Sequence, residues 1–186
     1  MTSTKVERLA RLLGHEGAKG CDTRDPVWED TERALGTRLP QDFKEVVSIF
    51  GQGSFDDFLV LNYPRCPNPY LDLETQMREM VKAYTTWEGG VALPYPFFPA
   101  LGGIIPWGGT DNGDVLFWRT GSADPNDWTV VVTSSKFDEW HAFGGGAAAF
   151  LLAVLSGAET VPFFPEDFPS DKPQFRPLAD ERADGT

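Results

Sequence analysis

Residues 104–121, IIPWGGTDNGDVLFWRTG, hold four glycines and two aspartates in one short stretch, the densest gathering of chemistry-bearing side chains in the chain. Asp111 and Asp114, with the Asn112 amide between them, are oxygen ligands suited to a hard cation, and glycine-rich backbone can cradle a phosphate. A calcium loop needs about six oxygen ligands at alternate positions and a distal acid. Asp111-Asn112-Gly113-Asp114 supplies too few. Asn112-Gly113 instead lies between the apolar runs Ile104-Ile105 and Val115 to Trp118, which signals a tight β-hairpin because both turn residues tolerate positive φ. The expectation is a metal-free turn that presents Asp111 and Asp114 beside the exposed ring of Trp107 or Trp118, a recognition edge on rigid strands.

Catalysis has little to build on elsewhere. His15 in GHEGAKG and His141 in DEWHAFG are the two histidines, and no G-x-S-x-G stretch offers a nucleophile for them to activate. His141, in a strand beside Trp140, is read as a packing residue. H-E-x-x-H, C-x-x-C, the phosphate-loop pattern and the dinucleotide fingerprint are absent. Cys21 and Cys66 fall in loop-like sequence and are read as free thiols, too few for a disulfide framework or a thiolate zinc site. Paired-carboxylate hydrolysis depends on a separation that sequence does not give. The expectation is no enzymatic activity, no cofactor and no metal.

A chain of 186 residues, 41% hydrophobic and 13% aromatic, can bury about 70% of its unfolded surface as one domain. No apolar run approaches the ~18 residues of a membrane helix. The start, MTSTKVERLARLLG, mixes Lys5, Glu7, Arg8 and Arg11 into its apolar residues and lacks the uncharged core of a secretory signal, so a cytoplasmic protein without membrane contact is expected. Sixteen basic residues against 28 acidic ones give a net charge of −12. That charge repels phosphate backbones and argues against direct nucleic-acid binding. Residues 94–186 carry −8 of the −12. An acidic surface can serve solubility alone, or it can face a basic protein partner.

The elements that must position these residues follow from periodicity. Val6, Leu9, Leu12 and Leu13 mark a first helix stopped by Gly14. Asp25-Pro26 caps and opens a second, which runs to Gly36, and Pro40 precedes a third with Phe43, Val46, Val47 and Phe50 at i, i+3, i+4 and i+7. FLVLNYP reads as a short strand, and Leu73, Met77, Met80, Val81 and Tyr84 as a longer helix opening near Asp72. Pro94, Pro96 and Pro99 deny regular structure to residues 92–103. Strands are expected around 104–107, 115–119, 128–133 and 139–143, then a last helix at 147–155. The two Pro-Phe-Phe-Pro stretches, 96–99 and 162–165, are read as aromatic clasps over the core.

WEDTERALGTRLPQDFKEVVSIFGQGSF, a short strand, IIPWGGTDNGDVLFWRTG, WTVVV and FGGGAAAFLLAVLSG together resemble the SUKH superfamily in order as well as content. The likeness spans roughly residues 26–157 and rests on E-x-x-LG-x-x-LP-x-D/E-[FY], a central P-W/F-G…GD turn and a final helix with a Phe-Leu pair. Many members carry Asn-Gly after the third helix, where this chain reads Phe50-Gly51-Gln52-Gly53. The family includes homologues of yeast regulators of cell-wall synthesis and many bacterial immunity proteins that neutralise toxins of polymorphic secretion systems. The resemblance implies an α+β fold, a single domain with a mixed, mostly antiparallel central sheet flanked by helices over residues 25–168. An N-terminal helix and loop (1–24) precede it and a polar, disordered tail (169–186) follows. It further implies a non-catalytic surface that docks on a toxin domain, often a nuclease, and the net charge of −12 adds that this partner is basic. The acidic and aromatic residues near the hairpin, Asp111, Asp114, Trp118, Asp124, Asp127 and Trp128, are the candidate partner-binding residues. The alternative reading is an intracellular scaffold or regulatory protein, for example in cell-wall regulation.

Overall fold

The computed structural model describes residues 3–15, 23–86 and 93–178. Among them the order is α1 (Thr4–Leu12), α2 (Pro26–Leu35), α3 (Gln41–Phe50), β1 (Gly53–Phe55), β2 (Leu59–Leu61) and α4 (Leu73–Thr86). There follow β3 (Ile104–Thr110), β4 (Val115–Arg119), a one-turn 3-10 helix (Pro125–Asp127), β5 (Thr129–Thr133), β6 (Trp140–Phe143), α5 (Ala147–Leu155) and β7 (Phe175–Pro177). The expected α+β class is the observed one, as a single domain.

Local chemistry sets the helix ends. The Asp25 side chain accepts from the Val27 N–H at 2.9 Å with Pro26 at the first helical position, and α2 stops at Gly36. Asp72 accepts from the N–H groups of Thr75 at 2.9 Å and Cys66 at 3.1 Å, opening α4 and fixing the loop that leads to it. Cys21 lies outside the described residues. Cys66 is a buried free thiol, which burial pushes above the ordinary thiol range.

The strands form one seven-stranded sheet in the order β6-β5-β4-β3-β2-β1-β7. Every named pair is antiparallel, and parallel pairing is confined to two isolated bridges, Tyr63 with Asp72 and Phe97 with Ile104. Trp107 is the extra residue of a β-bulge between Pro106 and Gly108. Gly108 beside it lets the strands approach, since a Cβ there would stand 2.7 Å from the Val60 carbonyl oxygen.

Helices cover one face of the sheet. Ile105, Trp107, Leu116, Trp118, Val130 and Val132 pack there with Phe43 and Val46 of α3 and Phe150 and Leu151 of α5. Phe43 is the hub: its ring meets Trp28, Trp107 and Trp118 edge-on, with centroids 6.2, 6.1 and 4.8 Å away. The opposite face buries Ile104, Phe117 and Val131 under Met80, Tyr95, Phe97, Phe137 and Trp140. The proline-rich segment thus forms a lid over that second face, and Phe98, Phe163 and Phe164 pack against the main core as the clasp reading expects.

Two short strands escape the sequence pattern. β1 and β7 have three residues each, too few to show an alternation. β7 also corrects the expected disordered tail, because residues 175–177 pair with β1 and Phe175 packs on Phe50 and Phe55 at 5.1 and 4.9 Å. Backbone bonds from Asp56 to Gln174 (2.7 Å) and from Leu178 to Gln52 (2.9 Å) complete the attachment. One buried aromatic with main-chain pairing suffices to order an otherwise polar segment. Residues 179–186 lie outside the described residues.

Candidate docking surface

Antiparallel pairing places the β1–β2, β3–β4 and β5–β6 loops at one end of the sheet and the β4–β5 loop at the other. The candidate carboxylates are therefore divided. Asp111 and Asp114 lie at the hairpin end, Asp124 and Asp127 at the far end, separated by the five residues of β4, about 17 Å of strand at ~3.3 Å per residue. The sequence places them near one hairpin; the sheet keeps them apart.

The β3–β4 turn differs from the expected tight form. Thr110 accepts from the Gly113 N–H at 2.9 Å and donates its own N–H to the Asp114 carbonyl at 3.0 Å, which makes a three-residue loop. Gly113 alone in that loop takes positive φ, at 85°. Asp111 and Asn112 are exposed at the tip. Asp114 is only 4% exposed, and its carboxylate accepts from Thr110 Oγ1 at 2.8 Å and from the Ser135 N–H at 3.0 Å. It buttons this turn to the β5–β6 loop, so its place on a docking surface is corrected to a structural one.

Both tryptophans are corrected too. Trp118 is 0% exposed, on the helix-covered side of β4, stacked on the equally buried Trp107 at 5.9 Å. Trp128 is 4% exposed, and its Nε1–H donates to the Ser122 carbonyl at 2.9 Å. Trp118 fills core volume beneath α3 and Trp128 beneath the β4–β5 loop, and neither offers a ring to a partner.

At the far end Asp124 caps the 3-10 turn, accepting from the Asn126 N–H at 3.0 Å, while Asp127 accepts from Ser122 Oγ at 3.3 Å. The Asn126 side-chain oxygen accepts from the Gln41 N–H at 2.9 Å, which moors this loop to the start of α3. Asp124 and Asp127 remain exposed, held in a rigid frame.

The hairpin end is more acidic than the sequence indicated. Its three loops carry Asp56, Asp57, Asp111, Asp114, Asp138 and Glu139 against Lys136 alone. Asp56 and Asp57 both take positive φ at the β1–β2 turn. Asp56 accepts from the Ser170 N–H and hydroxyl at 2.6 and 2.8 Å, and Asp57 pairs with Arg176 at 2.9 Å. Asp138 accepts from Ser134 Oγ at 2.7 Å, which holds its carboxyl below the usual carboxylate range. Asp111, Asp138 and Glu139 are exposed here without an ion pair among the described residues. Sequence reading missed Asp138 and Glu139; pairing the KFDEW turn with the TDNGD turn would have found them.

His141 Nε2 lies 3.0 Å from Glu159 Oε1, and His15 packs against Phe50 and Phe175. No group of three or more His, Cys, Asp or Glu among the described residues is placed to hold a metal ion. No helix of the described residues is long and apolar enough to cross a membrane.

The family model described as SMI1-KNR4 cell-wall, one of the SUKH models, matches residues 26–144, from the first residue of α2 to just past β6. The chain belongs to the SUKH family. The match covers the L-P-x-D-F start of α3 and the P-W-G bulge of β3. No curated protein and no solved structure matches this SUKH chain.

Proposed function

We propose that this SUKH domain is a non-catalytic, cytoplasmic protein-binding module of the immunity type, which neutralises a basic toxin domain by covering its substrate surface. The observation that carries the reading is the acidic hairpin end, where Asp111, Asp138 and Glu139 stand exposed on rigid loops of a chain with net charge −12. A toxin that acts on nucleic acid must present Lys and Arg, and an acidic inhibitor gains steered association and complementary potential against it. Rigid loops lose little conformational entropy on docking, so more of the contact energy appears as affinity. SUKH membership agrees with a protein-binding role.

The test joins capture with protection. The tagged protein, passed through its native lysate, is expected to retain a basic protein that elutes as salt rises. Expression of that protein alone should arrest growth, and co-expression of the SUKH chain should restore it. An acidic captured partner, or a partner harmless when expressed alone, overturns the immunity reading.

A further inference from the structure

The sheet ends in two edge strands, β6 and β7, and the pairing fixes which backbone groups face outward at each. The Ser134 N–H donates to the Glu139 carbonyl at 3.0 Å, in the same register as Val132 with His141 and Val130 with Phe143. Antiparallel partners alternate between bonded and non-bonded pairs, so the main-chain groups of His141 and Phe143 turn toward β5 and those of Trp140 and Ala142 turn away from the sheet. At the other edge the Asp56 N–H bonds to the Gln174 carbonyl, and the same alternation turns Phe175 and Pro177 outward. Pro177 has no N–H, which blunts β7 against further pairing.

β6 carries no such block. The N–H and carbonyl groups of Trp140 and Ala142 make no hydrogen bond beyond the sheet among the described residues. Ala142 is exposed, and a Cβ on Gly144 just past the strand would meet no atom beyond its chain neighbours within 4 Å. The strand is nevertheless held in place from both faces. The Trp140 ring stacks on Phe117 with centroids 6.1 Å apart and its Nε1–H donates to the Phe137 carbonyl at 3.2 Å, while on the helix-covered face His141 Nε2 lies 3.0 Å from Glu159 Oε1. An edge already extended and fixed loses little entropy when a further strand is laid on it. Its charge selects the strand: Glu139, two residues before His141, continues the helix-side row, and Asp138 is exposed beside it, with Lys136 the one cation of that turn.

Resting on the basic-partner reading of the hairpin end, we infer that β6 is where that partner docks with its own backbone: an extended segment bearing Lys or Arg adds to the seven-stranded sheet as a further strand. The outward N–H and C=O groups of Trp140 and Ala142 bond its main chain. Its alternate side chains fall in two rows. Cations in the helix-side row meet the carboxylates of Glu139 and Glu159, and small or apolar residues in the other row cover Ala142 and the half-buried Trp140. Main-chain pairing supplies affinity for any extended segment, and the flanking carboxylates restrict it to a basic one.

Amide exchange followed by NMR, with a peptide of alternating Lys and Val as the added strand, tests this on the parent protein. The N–H groups of Trp140 and Ala142 are expected to exchange fast in the free protein and to slow about tenfold or more when the peptide saturates it, while those of His141 and Phe143 are protected throughout. The same peptide methylated at its backbone nitrogens should bind about tenfold more weakly or worse, and a peptide of alternating Glu and Val should bind more weakly than the Lys peptide. Ala142→Pro removes only an outward N–H and should weaken the Lys peptide at a parental thermal midpoint; the exchange measurement stands whatever the stability of that variant. The proposal is overturned if the Lys peptide fails to bind by about 1 mM, if it binds without protecting Trp140 and Ala142, or if the methylated or the Glu peptide binds as well. Protection of both amides in the free protein also overturns it, because the edge is then already covered, by a second copy if the protection rises with protein concentration. These outcomes are independent of whether the captured basic partner arrests growth, so failure of strand addition and failure of the immunity reading are told apart.

Discussion

The Asp42 carboxylate on α3 accepts a hydrogen bond at 3.0 Å from the N–H of Ala148, in the first turn of α5. Gly146 occupies the N-cap position of α5 and has no side chain to do this. A Cβ on Gly146 would stand 2.8 Å from Asp42 Oδ2, so the absent side chain is what admits the cap from another helix. The L-P-x-D-F start of α3 and the Gly-Gly-Gly before α5 are the two halves of one joint.

Replacing Asp42 with Ala should therefore cost ~1 kcal/mol, the usual loss for a missing cap, whereas Asp42→Asn keeps the acceptor and should cost less. Gly146→Ala should cost a similar amount, and its loss should not add to that of Asp42→Ala, because both break the same contact. Urea midpoints of the three variants and the double variant check this. Additive losses would remove the trans-cap account.

Burial pushes the Asp42 carboxyl above its ordinary range, outweighing the backbone hydrogen bonds from Ala148 and Phe43 that pull it down. A raised native value means that the folded state holds its proton longer than the unfolded state. The stabilisation linked to Asp42 is thus full below the unfolded carboxylate value and is lost as pH rises through the native one. The stability of the parent minus that of Asp42→Asn should fall from about pH 4 upward. Chemical unfolding of both proteins across that range reads it directly; a difference that grows with pH contradicts the assignment.

The three-residue β3–β4 loop gives a sharper test. Gly113 sits at φ 85°, and a Cβ there would also meet Ser135 Cβ at 3.3 Å. Gly113→Val should destabilise by roughly 1 to 3 kcal/mol. The loop is held by Thr110, Asp114 and Ser135, so a chelator should leave the thermal midpoint unchanged, and a clear drop would restore a metal to this turn.

Core truncations measure the helix registers. Phe43 and Leu151 are fully buried on α3 and α5, and each change to Ala should cost ~2 to 5 kcal/mol. Phe43→Ala should also alter the emission of Trp28, Trp107 and Trp118, whose rings its own ring meets. Parental stability in either variant would show that the side chain does not pack as described.

The α3 register was legible because its apolar residues recur at helical spacing, whereas α5, AAAFLLAVL, is apolar throughout and its sequence shows a buried helix without marking a face. The exposure of Trp118 was not legible either. β4 reads Val-Leu-Phe-Trp-Arg, apolar on both faces because helices cover one and the proline-rich lid the other, so no alternation separates core from surface. Asp111 and Asp114 sit three residues apart in one polar turn, and only the third dimension, through Ser135, assigns one to solvent and the other to the interior. The cap from Asp42 to Ala148 spans 106 positions and leaves no local trace beyond the glycines. β7 was hidden because a single buried Phe175 marks it.

The docking proposal makes its own prediction, with the residues that the structure leaves exposed. Charge pairs in solvent act over about 8 Å at physiological ionic strength, so association with the captured basic partner should slow as salt rises while dissociation changes less. Asp111→Lys with Glu139→Lys reverses charge at the hairpin end without touching the buried Asp114 or the Ser134–Asp138 hydrogen bond, and should slow association while the thermal midpoint stays parental. Asp124→Lys with Asp127→Lys does the same at the far end of β4, although loss of the Asp124 cap can loosen the 3-10 turn, so its midpoint must be measured alongside. Because about 17 Å of strand separates the two ends, a partner docked on one should respond to one double variant much more than to the other. Stopped-flow binding of both variants across a salt series therefore identifies the docking end. If both associate at the parental rate, steering by these carboxylates is wrong and the partner is held elsewhere.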